Sequence, residues 1–513
     1  MSRPGSVGWF ALHEARLSWR DWRALMTGGH RRRGLSVALV FVAFVLFLHG
    51  LAYLMLGSSA SLAGRAGKEV LVAITGTLLM AWSLMLSQAL ESVTRAFYAR
   101  GDLDLILASP AAAGRLFAVR IMAIAVTVGF QAFVLAGPFI NVRIWRGGVQ
   151  WLGAYAVAVG LAMTAAAVAV ALTGALFRMI GPKRTRVVAQ ILAAVIGAAF
   201  VIGIQFAAII SLGTISRVTG LQSPALVQLA PGVGSLLWWP ARAAMGEPLA
   251  LAVLFGLSAA ALAVTIKVFA PRFGELALAA GTASHETGLR RRRRARFHDS
   301  TPAQALRRKE WTLLLRDPWL MSQTLMQLLY LLPAAFLLWR SFYGGGEMSA
   351  LLVPVFIMAA GQLAGGLAWL AVSGEDAHEL IASAPVSAAR VLRAKIEAVF
   401  IGIAVVFGPF ILALAAYAPF AALVAALGVA IAAGTSTAIQ FWFRTQARRS
   451  LFRRRQTSSR VATFAEALCS IGWAGTGAVA ASGTWLAAVS GLIVLAIVAG
   501  AWMISPVRGP SLV

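Results

Sequence analysis

The chain has 513 residues, 60% of them hydrophobic and 12% charged, with 45 Lys+Arg against 18 Asp+Glu for a net charge of +27. So few charges cannot coat a soluble globule, whose norm is about 25% charged residues, and a disordered chain would be poor in apolar side chains. The composition leaves an all-α polytopic membrane protein, and the single cysteine, Cys469, excludes an intramolecular disulfide and a cysteine-built metal cluster.

Residues 9–26 read as an amphipathic helix: Leu12, Ala15, Trp19, Trp22 and Met26 fall on one face, Arg16, Arg20 and Arg23 on another. Aromatic residues opposite arginines suit a helix lying in the membrane interface. Twelve apolar stretches follow, each near the ~20 residues needed to cross the hydrocarbon core. In the first half they cover about 35–56, 70–90, 117–140, 151–176, 187–212 and 249–268. In the second they cover about 320–340, 349–372, 396–416, 418–438, 461–481 and 484–504. The first is full length with no small-residue cleavage site after a short apolar core, so it is expected to be a span rather than a signal peptide.

With the N-terminus inside, the outer connections hold seven basic residues: Arg65, Lys68, Arg143, Arg146, Arg217, Arg242 and Arg340. The remaining 38 of the 45 lie inside or at inner helix ends. This is the bias that orients membrane proteins. The positive charge therefore reads as a topology signal with both termini cytoplasmic, and no nucleic-acid partner is needed to explain it.

The chain contains itself twice. Asp104-Leu105-Ile106 and Pro110 follow span 2, while Glu379-Leu380-Ile381 and Pro385 follow span 8. Asp104/Glu379, Pro110/Pro385, Arg115/Arg390 and Arg120/Lys395 all stand 275 positions apart, and Arg186-Val187 matches Arg460-Val461 at 274. Ahead of spans 1 and 7, Glu14 with Arg20-Asp21 matches Glu310 with Arg316-Asp317 at 296. Repeats in one order predict two parallel six-span halves, residues 1–270 and 305–513. They are joined by a basic linker, 271–304, which carries the run Arg290 to Arg294 and suits a headgroup surface of anionic membrane lipids.

The segments after spans 2 and 8 share an acidic start, an apolar pair and a proline before a basic helix. A plain solvated loop does not require that register in both halves, and exposed apolar residues on a short element suit docking into a protein groove. An N-terminal interfacial helix, six spans and an acidic-Leu-Ile-x-x-x-Pro stretch resemble the permease halves of ABC-2-type ABC transporters. So does Pro231 to Pro240 with Ala244 to Pro248 before span 6, an element the second half lacks. The resemblance implies a fused 6+6 permease, an exporter of a bacterial inner membrane. It implies that Glu14, Arg20, Asp21, Glu310, Arg316 and Asp317 belong to connecting helices. It also implies that Asp104, Leu105, Ile106, Pro110, Glu379, Leu380, Ile381 and Pro385 couple to a separate ATP-binding cassette ATPase, a homodimer that carries the ATP.

The chain itself has no Gly-x-x-x-x-Gly-Lys-Ser/Thr loop, so no phosphate cradle of that kind and no bound cofactor are expected, and it is read as a transport subunit rather than an enzyme. His13-Glu14 and His378-Glu379 lack the second histidine of a zinc-protease helix. Ionisable and polar groups inside spans are the remaining candidates. They are His49, Gln131, Gln205, Gln362 and Gln440, with Glu397 and Glu466 near inner span ends. An ion-coupled secondary transporter is the main rival, disfavoured by the lack of an acidic group near the midplane. A lipid-modifying membrane enzyme using Asp102 and Asp104 is the second, disfavoured because the repeat replaces Asp102 with Ala377.

Overall fold

The computed structural model describes residues 6–27, parts of 41–53, 67–98, 113–212, 224–272, 301–316, parts of 325–336, 349–373, 383, 385–443 and 460–505. Among them the regular structure is helical, with no strand. The chain forms two compact units, Met1–Arg290 and Arg291–Val513.

The first unit contains α1 (Val7–Thr27), α2 (Lys68–Tyr98), α3 (Ala113–Gly147), α4 (Gly153–Leu212), α5 (Pro224–Leu229), α6 (Trp239–Ala244) and α7 (Pro248–Phe269). α4 is two helices in sequence: Gly181, at φ 75° and ψ 165°, breaks the helical path. Glycine tolerates that conformation because it has no Cβ to clash. α2 runs along α4, and α4 also carries α3 and α7. The shared core is built from Leu90 and Val93 of α2, Phe117 of α3, and Ala162, Ala166 and Ala169 of α4. Alanines three and four apart let helix backbones approach closely. In lipid that dispersion packing, rather than exclusion of water, holds helices together.

One end of this bundle is closed by the Pro231–Pro248 segment. Ser235 caps a short 3-10 turn, Trp238 donates from Nε1 to the Gly232 carbonyl at 2.9 Å, and Arg242 donates to the Val233 carbonyl at 2.7 Å. Trp238 and Ala241 bury against Leu71 of α2.

The second unit contains α8 (Pro302–Arg316), α9 (Ser349–Ser373), α10 (Ala388–Tyr417), α11 (Pro419–Trp442), α12 (Arg460–Ala481) and α13 (Leu486–Ile504). α8 begins inside the stretch read as linker. Pro302 opens it, and Thr301 and Gln304 cap each other's backbone N–H reciprocally, at 3.1 and 3.4 Å. α9 lies at the centre, packed on α10, α11 and α12. Ile357 of α9 inserts where α11 and α12 carry glycines: a Cβ at Gly428 or Gly477 would collide with its Cδ1. α10 and α11 are separated only by Ala418 at φ −140°, with Pro419 opening α11. α12 and α13 are separated around Gly483 at φ 73°.

Among the described residues eight helices are long and apolar enough to cross a membrane: Lys68–Phe97, Gly114–Gly147, Val149–Gly181, Pro248–Phe269, Leu352–Val372, Ala388–Tyr417, Pro419–Trp442 and Leu486–Ile504. The chain is thus an all-α polytopic membrane protein. Of the twelve expected stretches, 35–56 and 320–340 lie largely outside the described residues, although those described within them are helical. On stretch 187–212 the apolar part is the shorter Val187–Ala199. α12 falls on 461–481, but its Glu466, serine, threonines and glycines keep it out of the eight.

Candidate coupling site

α1 and α8 each pack against the first turns of the helix that follows the expected coupling segment, α1 on α3 and α8 on α10. In the second unit the contact is centred on a buried charge. Glu310, on α8, is 0% exposed. Lys395, two turns into α10, places Nζ 3.1 Å from its Oε1 and 3.3 Å from its Oε2. The same ammonium donates to the Ala371 carbonyl in the last turn of α9. α9 spans Ser349–Ser373, and a cation is favoured near a helix C-terminus. One lysine therefore ties three elements together: the surface helix, the end of α9 and the start of α10. Lys309 adds a second ammonium at 3.1 Å from Glu310 Oε1.

A second, more exposed tie joins the same helices. Arg307 Nε stands 2.6 Å from Glu397 Oε2. The hydrogen bond to Glu397, then its charge, holds the Arg307 guanidinium above its ordinary pKa.

In the first unit Glu14 is 6% exposed and Arg120 3%. They lie on α1 and α3, whose contact also buries Phe10, Leu116 and Val119. The Arg120 guanidinium sits 5.6 Å from the Phe117 ring centroid. The buried side of α1 is the Phe10/Glu14 stripe, while Leu12, Ala15 and Trp19, on the face expected to be apolar, are exposed. A helix that grips protein with one face and opens an aromatic face outward has the form of an interfacial element.

Asp104, Leu105, Ile106, Pro110, Glu379, Leu380, Ile381 and Asp317 lie outside the described residues. Pro385 is exposed in the bend that leads to α10. Arg20 is exposed on α1, and Asp21, Arg316 and Gln205 are placed as helical backbone. Gln131 and Gln362 are exposed. His49 donates from Nδ1 to the Val45 carbonyl at 2.8 Å, and its Nε2 is 3.2 Å from Asn141 Nδ2. Tyr155 closes the chain by donating to Asn141 Oδ1 at 2.6 Å. His49 is thus linked through Asn141 to α3 and, by Tyr155, to α4. The pairing of Glu310 with Lys395 was absent from the sequence reading, although the repeat register had marked both residues.

Gln440 and Glu466 form a further polar contact inside the second unit: Gln440 Nε2 donates to Glu466 Oε2 at 2.6 Å. Among the described residues no group of three His, Cys, Asp or Glu side chains is placed to hold a metal ion. Comparison with known proteins adds nothing to these contacts: no family model, no curated protein and no solved structure matches the chain.

Proposed function

We propose that the chain is the membrane permease of an ATP-driven transporter of the ABC-2 type, with two six-span halves and export as its direction. The observation that supports this best is the Glu310–Lys395–Ala371 knot. It binds the surface helix to both helices that flank Glu379–Pro385, so a push on that segment would move α8, α9 and α10 together. The repeat-matched residues of the first half, Glu14 and Arg120, are buried on the equivalent pair of helices. An equivalent ion pair there would give Asp104–Pro110 the same grip.

In this reading a separate ATPase dimer seats on the two segments, and its closure shifts the halves between access states. A ligand or partner moves such an equilibrium only through contacts that differ between the states. The chain supplies those contacts and no bond chemistry.

The test is copurification from the native membrane with an ATPase carrying a phosphate-binding loop, followed by Asp104→Lys and Glu379→Lys. The expected result is an intact assembly whose ATP hydrolysis no longer drives transport. If no ATPase copurifies, and both reversals leave ATP-coupled transport unchanged, the coupling assignment fails. The ion-coupled secondary transporter remains the second reading, favoured by the half-buried Glu466; transport that persists in vesicles without any ATPase would establish it.

A further inference from the structure

Glu466 is the one carboxylate of α12, and it lies where α12 meets α9 and α11. Its Oε1 faces the backbone of α9 so closely that a Cβ at Gly365 would overlap it. Its Oε2 accepts from Gln440 of α11 at 2.6 Å. The helices that pack on α12 are α9, α11 and α13. None of the three contains an Asp, Glu, Lys, Arg or His. A carboxylate held among apolar helices without a counter-charge on any of them is costly, and such residues mark ion or proton sites.

The same seam holds hydroxyls with unused capacity. Ser470, one turn along α12, is 0% exposed, and a Cβ at Gly361 would lie 2.5 Å from its Oγ. Ser436 of α11, one turn before Gln440, is also 0% exposed. Neither Oγ has a hydrogen-bond partner among the described residues. Buried hydroxyls are ordinarily satisfied, and each can either donate to a carboxyl group or turn lone pairs to a cation. Gly361 and Gly365 keep α9 close enough for one turn of seam to hold the carboxylate and Ser470 together.

We propose that this seam is a monovalent-cation site: Glu466 carries a bound proton or alkali ion, with Ser470 and Ser436 completing its shell. A divalent ion would exchange one uncompensated charge for another of opposite sign. The site is independent of the ATPase-coupling reading and stands or falls without it.

The experiment is infrared difference spectroscopy on the full chain in lipid nanodiscs at neutral pH, wild type against Glu466→Gln. Two media of equal ionic strength are used, sodium chloride and choline chloride. A protonated carboxyl band assigned to Glu466 in both media supports proton occupancy. Ionised carboxylate bands that shift between sodium and choline support an alkali ion, and Ser470→Ala then raises the sodium concentration for half-effect about tenfold. Ionised bands that are the same in both media overturn the proposal. If Glu466→Gln does not fold, Glu466→Asp, which keeps the acid and moves its band, gives the same difference spectrum.

Discussion

Lys395 and Glu310 meet in a pocket that exposes 11% of the lysine side chain and 1% of the glutamate, and the lysine also donates to the Ala371 carbonyl of α9. Removing Glu310 takes the counter-charge from the Lys395 ammonium in that pocket, which costs about 3–5 kcal/mol, whereas removing Lys395 leaves Glu310 with Lys309 at 3.1 Å. Glu310→Gln is expected to lower the unfolding midpoint of the purified chain sharply, and Lys395→Met to lower it by less. The double variant is expected to recover much of the loss, because neither charge is then stranded. A thermal-unfolding series in one detergent reads all three.

Glu14 and Arg120 are expected to behave as a pair. A double-mutant cycle with Glu14→Gln and Arg120→Met should show a coupling energy above about 0.5 kcal/mol, the level at which distant sites are merely additive. Additive effects would mean that the first unit is held by a different contact from the second.

Arg307 and Glu397 make a shorter contact than Lys395 and Glu310, yet both are solvent-facing. Water and salt screen such a pair. Arg307→Ala is therefore expected to leave the unfolding midpoint unchanged within error, in contrast to Lys395→Met. A large loss at Arg307 would show that this surface is covered in the working protein.

Ile357 occupies the gap left by Gly428 and Gly477. Gly477→Val is expected to destabilise the second unit by about 1–3 kcal/mol through overpacking, and Ile357→Ala on that background to restore part of it. Circular-dichroism melts of the single and double variants check the sign of the interaction.

Cys469 is fully buried beside Glu466 and Ser470 on α12. As the only cysteine, it reports on α12 packing without engineering. Slow reaction with a membrane-permeant maleimide is expected in the state described here, with acceleration when α12 separates from α9. Rapid labelling under all conditions would show that the seam is open to small molecules at rest.

Much of this architecture was legible as local pattern. Apolar runs marked the helices, and the period of 275 aligned Arg120 with Lys395. α1 was legible too, but its faces were not. Leu12, Ala15 and Trp19 turned outward, while Phe10 and Glu14 turned in, because the protein-facing side of an interfacial helix is chosen by what it rests on. Glu466 was placed by sequence near the inner end of its span, where a carboxylate can reach water. The structure instead sets it against Gly365 and Gln440.

What the sequence by itself determined is the class of the protein, an all-α polytopic membrane protein, and the apolar runs that form its helices. Hydropathy and spacing are properties of neighbouring residues and survive any arrangement of the helices. What only the tertiary structure decided is which charge meets which partner: Glu310 with a lysine 85 positions later, and Glu466 with no charged residue on α9, α11 or α13. A span tolerates a charge only if a neighbour compensates it, and the choice of neighbour depends on how small faces such as Ala162–Ala169 and Gly361–Gly365 let helices close on one another.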